Sequence, residues 1–316
     1  MSDSNAVVLR YVPETTYGET PENSTDWKTI RWTSETLTAT PETVTSSEIR
    51  NDRARSDMPK VNTTVTGGFN FEFSTNTFDD FVEAVLGGTW AQDGTDLWDI
   101  LEQGNTYRSF SIEKEYSDIT EYVGFKGMRV GTMNISLAFG SIITGDIGLA
   151  GNDGVTANTS LVGTGSTAAA STSSILTASS DVSTIKIDGV AAPVCLSALD
   201  LSINNNLRAI GCIGRDTPKD QRLGTCDITG SATMFLNADA FAFYEKALAN
   251  AEASLEYTLT DGTNKFTIFL PRIKLSGDTP QAGGLDQDVE FTMTFTALID
   301  ETEGTPIRVT RDPNVT

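Results

Sequence analysis

Histidine is absent from this 316-residue chain, and that removes much of the catalytic repertoire at once. No Ser-His-Asp or Cys-His arrangement can be drawn, and no metal site of mixed cysteine and histidine ligands can be assembled. The three cysteines, Cys195, Cys212 and Cys226, fall in the second half at irregular spacing with no C-x-x-C among them. They read as small, mostly buried thiols and not as a disulfide framework. Carboxylates are plentiful, and a pair of them is the machinery of glycoside hydrolysis. The two obvious pairs have structural readings instead. Asp79 and Asp80 stand where a helix begins and the helix dipole favours negative charge. Asp286 and Asp288 lie in a loop leading into a strand. Gly163-Thr164-Gly165 lacks the third glycine and the strand–helix context of a dinucleotide site, and Gly151-Asn152-Asp153-Gly154 reads as a turn and not as a calcium loop. The residue types point to no catalytic residues, no cofactor and no metal.

The remaining chemistry is electrostatic. The chain carries 43 acidic and 22 basic residues, a formal net charge of −21, which argues against binding nucleic acid by phosphate neutralisation. A wall of like charge would instead let a duplex pass without sticking; plain solubility is the competing reading. The basic residues gather in two long polar stretches. Ile49, Arg50, Asp52, Arg53 and Arg55 occupy the stretch 45–60, and Arg208, Arg215, Lys219 and Arg222 occupy 205–222. Loops much longer than about 12 residues are uncommon unless they have a function, and basic clusters on so acidic a chain would meet acidic surface on a neighbouring copy. Ordering a loop costs about 1–2 kcal/mol per residue, so each is expected to need a partner surface. The alternative is a pair of solvated loops.

Those two stretches hold matching places in a pattern that occurs twice. Val65–Phe73 alternates apolar and polar residues and runs into an amphipathic helix over 76–86; Ile228–Leu236 does the same before a helix over 238–249. The offset is constant (230 − 67 = 163), so that Phe78, Phe81 and Val85 fall on Phe241, Tyr244 and Leu248. These six side chains are the expected helix cores. Ser74 or Asn76 is the expected cap of the first helix, and Gly87-Gly88 ends it. Further strands are expected at 107–115, 122–125 and 129–139, and again at 254–259, 265–270 and 288–298, all half-buried by their alternation. The fold class follows: mainly β, two tandem β-sandwich or open-barrel lobes, each with one flanking α-helix, plus extended terminal arms. The expected divisions are an N-terminal arm (1–34), a first lobe (35–150), a Gly/Ser/Thr/Ala-rich linker (151–181), a second lobe (182–299) and a C-terminal arm (300–316). Glu72 stands on the polar face of a phenylalanine-bearing strand, while the matching position holds Phe235. No apolar run approaches the roughly 20 residues of a membrane helix. Residues 1–5 have neither the basic nor the apolar region of a secretory signal, and synthesis in the cytoplasm is expected.

The run Ser46-Ser47-Glu48-Ile49-Arg50-Asn51-Asp52-Arg53, then Thr66-Gly67-Gly68-Phe69-Asn70-Phe71-Glu72 and Phe78-Asp79-Asp80-Phe81-Val82-Glu83-Ala84, resembles the major tail tube proteins of long, non-contractile-tailed bacteriophages. Arg10-Tyr11-Val12-Pro13-Glu14, Phe110-Ser111-Ile112-Glu113-Lys114 and Phe125-Lys126-Gly127-Met128-Arg129-Val130 are similar to that family too, so the resemblance covers most of residues 6–145. It implies a structural virion protein that stacks as rings into a hollow tube, with sheets joined across subunits. The long loop and terminal arms would touch adjacent rings, and Glu72 becomes a lumen candidate in an acidic bore through which DNA passes without specific binding. The implied partners are further copies of itself, a tape measure protein during assembly, and tail tip and tail terminator proteins; the implied location is the virion tail, assembled in the host bacterial cytoplasm. Six lobes closing a ring would need three chains of this kind, a pseudo-hexamer, in place of the commoner six-chain ring. The alternative is a non-enzymatic β-sandwich binding module, a virion decoration or carbohydrate-binding protein, disfavoured by the scatter of its four tryptophans over loops and arms.

Overall fold

The computed structural model describes residues 2–92, 98–191 and 194–311, with 48% of the chain in strands and 7% in two helices. In the first half, Val7–Pro13 (β1), Trp27–Thr29 (β2), Ser34–Glu35 (β3), Thr38–Thr43 (β4) and Lys60–Glu72 (β5) precede helix α1, Asp79–Leu86. Then come Ala91–Gln92 (β6), Asp99–Glu102 (β7), Phe110–Tyr116 (β8), Glu121–Ala138 (β9), Thr144–Ala150 (β10), Asp153–Ala157 (β11) and Thr167–Ala168 (β12). The second half holds Val182–Ile187 (β13), Val190–Ala191 (β14), Leu196–Asn204 (β15), Arg208–Ile210 (β16), Asp220–Arg222 (β17) and Asp227–Phe235 (β18). Helix α2, Ala238–Leu248, is followed by Glu252–Thr260 (β19), Lys265–Gly277 (β20), Glu290–Ala297 (β21) and Arg308–Arg311 (β22).

Strand β9 links the two layers of the sandwich. Its first part pairs with β8 and β11, its last part with β10 and β15. Gly127 lies between the two parts at φ 65°. A Cβ there would sit 2.8 Å from Cβ of Asn152 and 3.0 Å from the Tyr17 ring, so both the left-handed backbone and the close approach require glycine. One layer runs β11–β9–β8–β1–β2–β12. The other is a continuous ladder in the order β4–β5–β10–β9–β15–β18–β21–β20. The large sheets do not close into a barrel. The order β5–β10–β9 in the first half recurs as β18–β21–β20 in the second, and β20, like β9, divides its length between two sets of neighbours: β19 and β22 first, β21 last. The two halves meet through β9 and β15, Thr132–Ala138 lying antiparallel to Ala198–Asn204.

Helix α1 begins three residues later than the pattern suggests. Phe78 takes the cap position without a side-chain bond; Ser74 Oγ donates instead to Thr77 Oγ1 at 2.7 Å, and Asn76 adopts φ 58°. The acidic first turn is used: Tyr11 donates to Asp80 at 2.9 Å, and Arg311 pairs with Asp79. Phe78, Phe81 and Val85 are buried, in an aromatic cluster where Phe71 meets Phe78 at 4.0 Å and Phe81 meets Tyr11 and Phe110 at 4.7 and 5.0 Å. Helix α2 differs. Asn237 caps it through Ala240, but only Ala240 is buried; Phe241 and Leu248, expected in a core, are 43% and 70% exposed and Tyr244 is half-buried. The reason is composition of the second layer: α1 is covered by Tyr11 of β1 and Phe110 of β8, and among the described residues no aromatic strand of that kind lies over α2.

Several segments expected to stand apart are built into the sandwich. Residues 7–13 form β1 along the full length of β8. Within 151–181, β11 pairs with β9, and Leu176 is buried in the main core. Near the C-terminus, β22 bridges β20 and β7, with Arg308 on Glu102 and Arg311 on Asp99. The cysteines are also less buried than expected: Cys195 and Cys212 are exposed and Cys226 is half-buried.

Candidate functional site

The outward face of the β4-to-β20 sheet is predominantly polar. Period-two alternation puts Phe71, Met133, Ile135, Ile147, Leu201 and Phe295 into the core and turns the residues between them outward. Threonines, serines and asparagines dominate that face, and its Asp146 and Asp200 are held by neighbours on the next strand. Asn134 donates to Asp146 at 2.9 Å, Ser136 and Ser231 donate to the two oxygens of Asp200 at 2.5 and 3.1 Å, and Thr233 and Thr292 share a bond of 2.8 Å. Shallow grooves run along this face between β9, β15 and β21 and between β5 and β10.

Glu72 is on this face, opposite Thr144 of β10. In the second half the matching row reverses its chemistry: Phe235 of β18 is opposite Glu290 of β21. The same pairing thus carries one carboxylate in each half, on β5 in the first and on the neighbouring strand in the second. Glu290 was not evident as a site residue from the sequence. The equivalence needs the β18–β21 register, and the linear offset alone finds only the loss at position 235.

The two ends of this sheet are open among the described residues. At one end β4 pairs only with β5. At the other, Leu275–Gly277 of β20 pairs with β21 alone, since the pairing with β19 stops at Lys274.

The two basic stretches are hairpin ends and not slack loops. The β4–β5 ladder continues past the strands through Val44 N–H to Pro59 O at 3.1 Å and Ser46 N–H to Asp57 O at 2.9 Å. Ile49 stands 98% exposed at the tip. Arg50 pairs with Asp52 at 2.7 Å, Arg55 donates to the Ser46 carbonyl at 3.3 Å, and Arg53 sits at φ 60°. In the second half, β16 and β17 form a hairpin in which Arg208 is opposite Arg222, and Arg222 pairs with Asp220. Lys219 N–H closes on the Ile210 carbonyl at 2.7 Å, and Arg215 N–H on that of Cys212 at 3.3 Å. Ile213 is fully exposed at this tip; it is the counterpart of Ile49 and escaped the sequence reading because no charge marks it. The two hairpins touch where Lys60 meets Asp216 at 2.8 Å, a bond that holds the Asp216 carboxyl below the usual carboxylate range.

A cation–π lock seats the second hairpin on the first half. The Arg129 guanidinium pairs with Asp220 at 2.8 Å, donates to the Gln221 carbonyl, and lies 4.3 and 4.9 Å from the ring centres of Tyr17 and Tyr107. Gln221 in turn donates to the Gly151 carbonyl at 2.9 Å. Ordering therefore comes from within the chain. Among the described residues no group of three or more Cys, Asp or Glu side chains is placed to hold a metal ion, and no helix is long and apolar enough to cross a membrane.

A family model described as phage tail tube protein matches residues 4–297. No curated protein matches the chain individually.

Proposed function

Because this chain belongs to the phage tail tube protein family, and is accordingly a structural protein of the virion tail, we propose that it polymerises as stacked three-chain rings into the hollow tube that delivers DNA. The observation that carries this reading is the eight-strand sheet with one polar face and an open edge at each end. Strands lie about 4.8 Å apart, so three chains joined edge to edge give 24 strands and a circumference of about 115 Å, or about 37 Å between facing backbones before tilt widens it. Two chains would leave roughly 24 Å between backbones and no room for a duplex once side chains are added; six would leave about 73 Å. Three chains of two lobes make a pseudo-hexamer, and ring closure removes both exposed edges.

The polar face lines the bore in this reading. Its Asp146, Asp200, Glu72 and Glu290 repel phosphates, and the hydroxyls between them supply no cation to hold them. The hairpin tips at 47–56 and 211–218 project from one end of the sheet and engage the next ring. Ile49 and Ile213 are the apolar anchors of that contact, and Arg50, Arg53, Arg55 and Arg215 its cations. A tape measure protein inside the growing tube, and tail tip and terminator proteins at its ends, are the further partners. Negative-stain microscopy of the purified chain tests the reading. Rings or tubes with threefold or pseudo-sixfold end views are expected; monodisperse monomers at high concentration would overturn it.

A further inference from the structure

The chain contains one lobe-to-lobe junction, and it supplies a template for the junction between chains. In the internal contact, β15 lies along β9 with Asn204 opposite Thr132 and Ala198 opposite Ala138. The ladders on either side allow both strands to be carried to their counterparts at the open ends. Leu201 is opposite Gly230 in the β15–β18 ladder. Thr38 opposite Thr66 places Leu37 at Gly67 in the first-half ladder. Because Gly67 and Gly230 are equivalent, residues 37–40 are the counterparts of 201–204. In the same way Met133 is opposite Ile147 of β10, and Gly277 is opposite Met293 of β21, so the stretch from Ser276 onward is the counterpart of the stretch from Thr132.

From this correspondence we infer that the open edge Leu37–Thr40 of one chain pairs antiparallel with Ser276–Thr279 of the next, in the register Thr40 with Ser276 and Thr38 with Asp278. The inference rests on the ring reading and adds its strand partners and register. In doing so it extends β20 by two residues into a segment that lies beyond the strand in the single chain.

Two features lock the register. Pro41 follows the paired stretch on one strand and Pro280 follows it on the other. Neither proline can donate to a ladder, so each marks a limit of pairing. A slip of two residues in one direction draws Pro280 opposite Thr38. A slip in the other brings Thr40 onto Lys274, whose edge is already taken by Glu252 of β19. A slip of one residue turns the polar face of the strand inward.

Helix α2 carries an independent mark of the same contact. At the internal junction Val85 is 1% exposed and its carbonyl accepts from the Asn205 side chain at 2.7 Å. At the open end its counterpart Leu248 is 70% exposed. The counterpart of Asn205 is Pro41, which the inferred register brings from the next chain to that end of α2.

Paired cysteines test the register. In a background of Cys195→Ser, Cys212→Ser and Cys226→Ser, the variant Thr40→Cys/Ser276→Cys is assembled and oxidised. Within one chain the two positions are seven strand spacings apart, about 34 Å along the sheet, so a disulfide between them must join two chains. Cross-linked species are expected to stop at the trimer on a non-reducing gel, with yields well above those of Thr40→Cys/Lys274→Cys and Thr40→Cys/Asp278→Cys. Rings that form by microscopy but cross-link best through one of the shifted pairs, or through none, overturn the register and leave the ring intact. Absence of rings from the cysteine-free parent overturns the assembly reading itself, and the register with it.

Discussion

Removal of the Arg129 side chain should release the second hairpin without unfolding the sandwich. The guanidinium is 9% exposed, paired to Asp220 at 2.8 Å and set against two tyrosine rings. Deleting one partner of a buried pair costs about 3–5 kcal/mol. Asp220 is 23% exposed, so water takes over part of its solvation and the lower end, about 3 kcal/mol, applies. The two ring contacts add about 0.5 kcal/mol each. Arg129→Ala should therefore lose about 4 kcal/mol in urea unfolding of the unassembled chain. Arg129→Lys keeps the charge but loses the planar fork that reaches carboxylate and carbonyl together, and should recover only part of the loss. Trypsin gives the local readout, since Arg208, Arg215, Lys219 and Arg222 all lie in this hairpin: the Ala variant should be cut there first, well before the β5–β10–β9 core. A loss below about 1 kcal/mol, the size of a surface ion pair, with unchanged trypsin resistance, would refute the claim that this contact seats the hairpin.

Charge reversal at the first tip, Arg50→Glu/Arg53→Glu/Arg55→Glu, should leave the thermal transition nearly unchanged, because all three side chains stand in solvent, and should block tube growth; tubes of normal length would remove these residues from the inter-ring contact. Ile49→Asp with Ile213→Asp should give single rings that fail to stack, read by sedimentation. Glu72→Lys with Glu290→Lys should assemble normally but retain DNA in the tube, measured as a drop in DNA release from reconstituted particles, with the defect relieved by added salt. Burial pushes the Tyr17 hydroxyl from its ordinary 10.0 up to about 12, and burial raises Tyr11 and Tyr257 as well. A raised acid contributes stability that is complete below its unfolded pKa and is lost as pH climbs through its folded one, so the fold should weaken between pH 10.0 and about 12. Tyr17→Phe should move that alkaline transition upward.

What the sequence made legible was the alternation of β5, β18 and their partners, because a half-buried strand writes its burial into every second residue. The polar face and the place of Glu72 follow from that pattern. Helix α1 was legible through its stripe, with Phe78, Phe81 and Val85 all in the core. The same stripe in α2 misled, because an amphipathic pattern records what a helix offers and not what covers it; among the described residues nothing buries Phe241 or Leu248. The Gly/Ser/Thr-rich stretch beyond residue 150 looked like a linker for the converse reason. Strand β11 needs small residues: a Cβ at Gly154 would fall 2.3 Å from that of Ala39, so composition typical of flexibility marks close packing here. The hairpin β16–β17 was hidden because its order comes from Arg129, 92 residues before Gln221 in the chain, through contacts no local window contains.

The internal β9–β15 junction also explains why two lobes in one chain suit a ring. Each association of separate subunits costs translational and rotational freedom, on the order of 4–15 kcal/mol. In the three-chain ring proposed above, lobes joined covalently bring three of the six junctions already made when the chain folds, and three remain to be formed between chains. The internal junction can then be held by features that a self-complementary edge could not share, such as Asn205 on the Val85 carbonyl and the Arg129 lock. Once the two lobes are freed from identity, their chemistry can move between strands so long as the outward polar face keeps its charge. In the ring proposed above, the carboxylate carried by Glu72 on β5 in one half and by Glu290 on β21 in the other would keep one row of charge on the polar face while changing the strand that bears it.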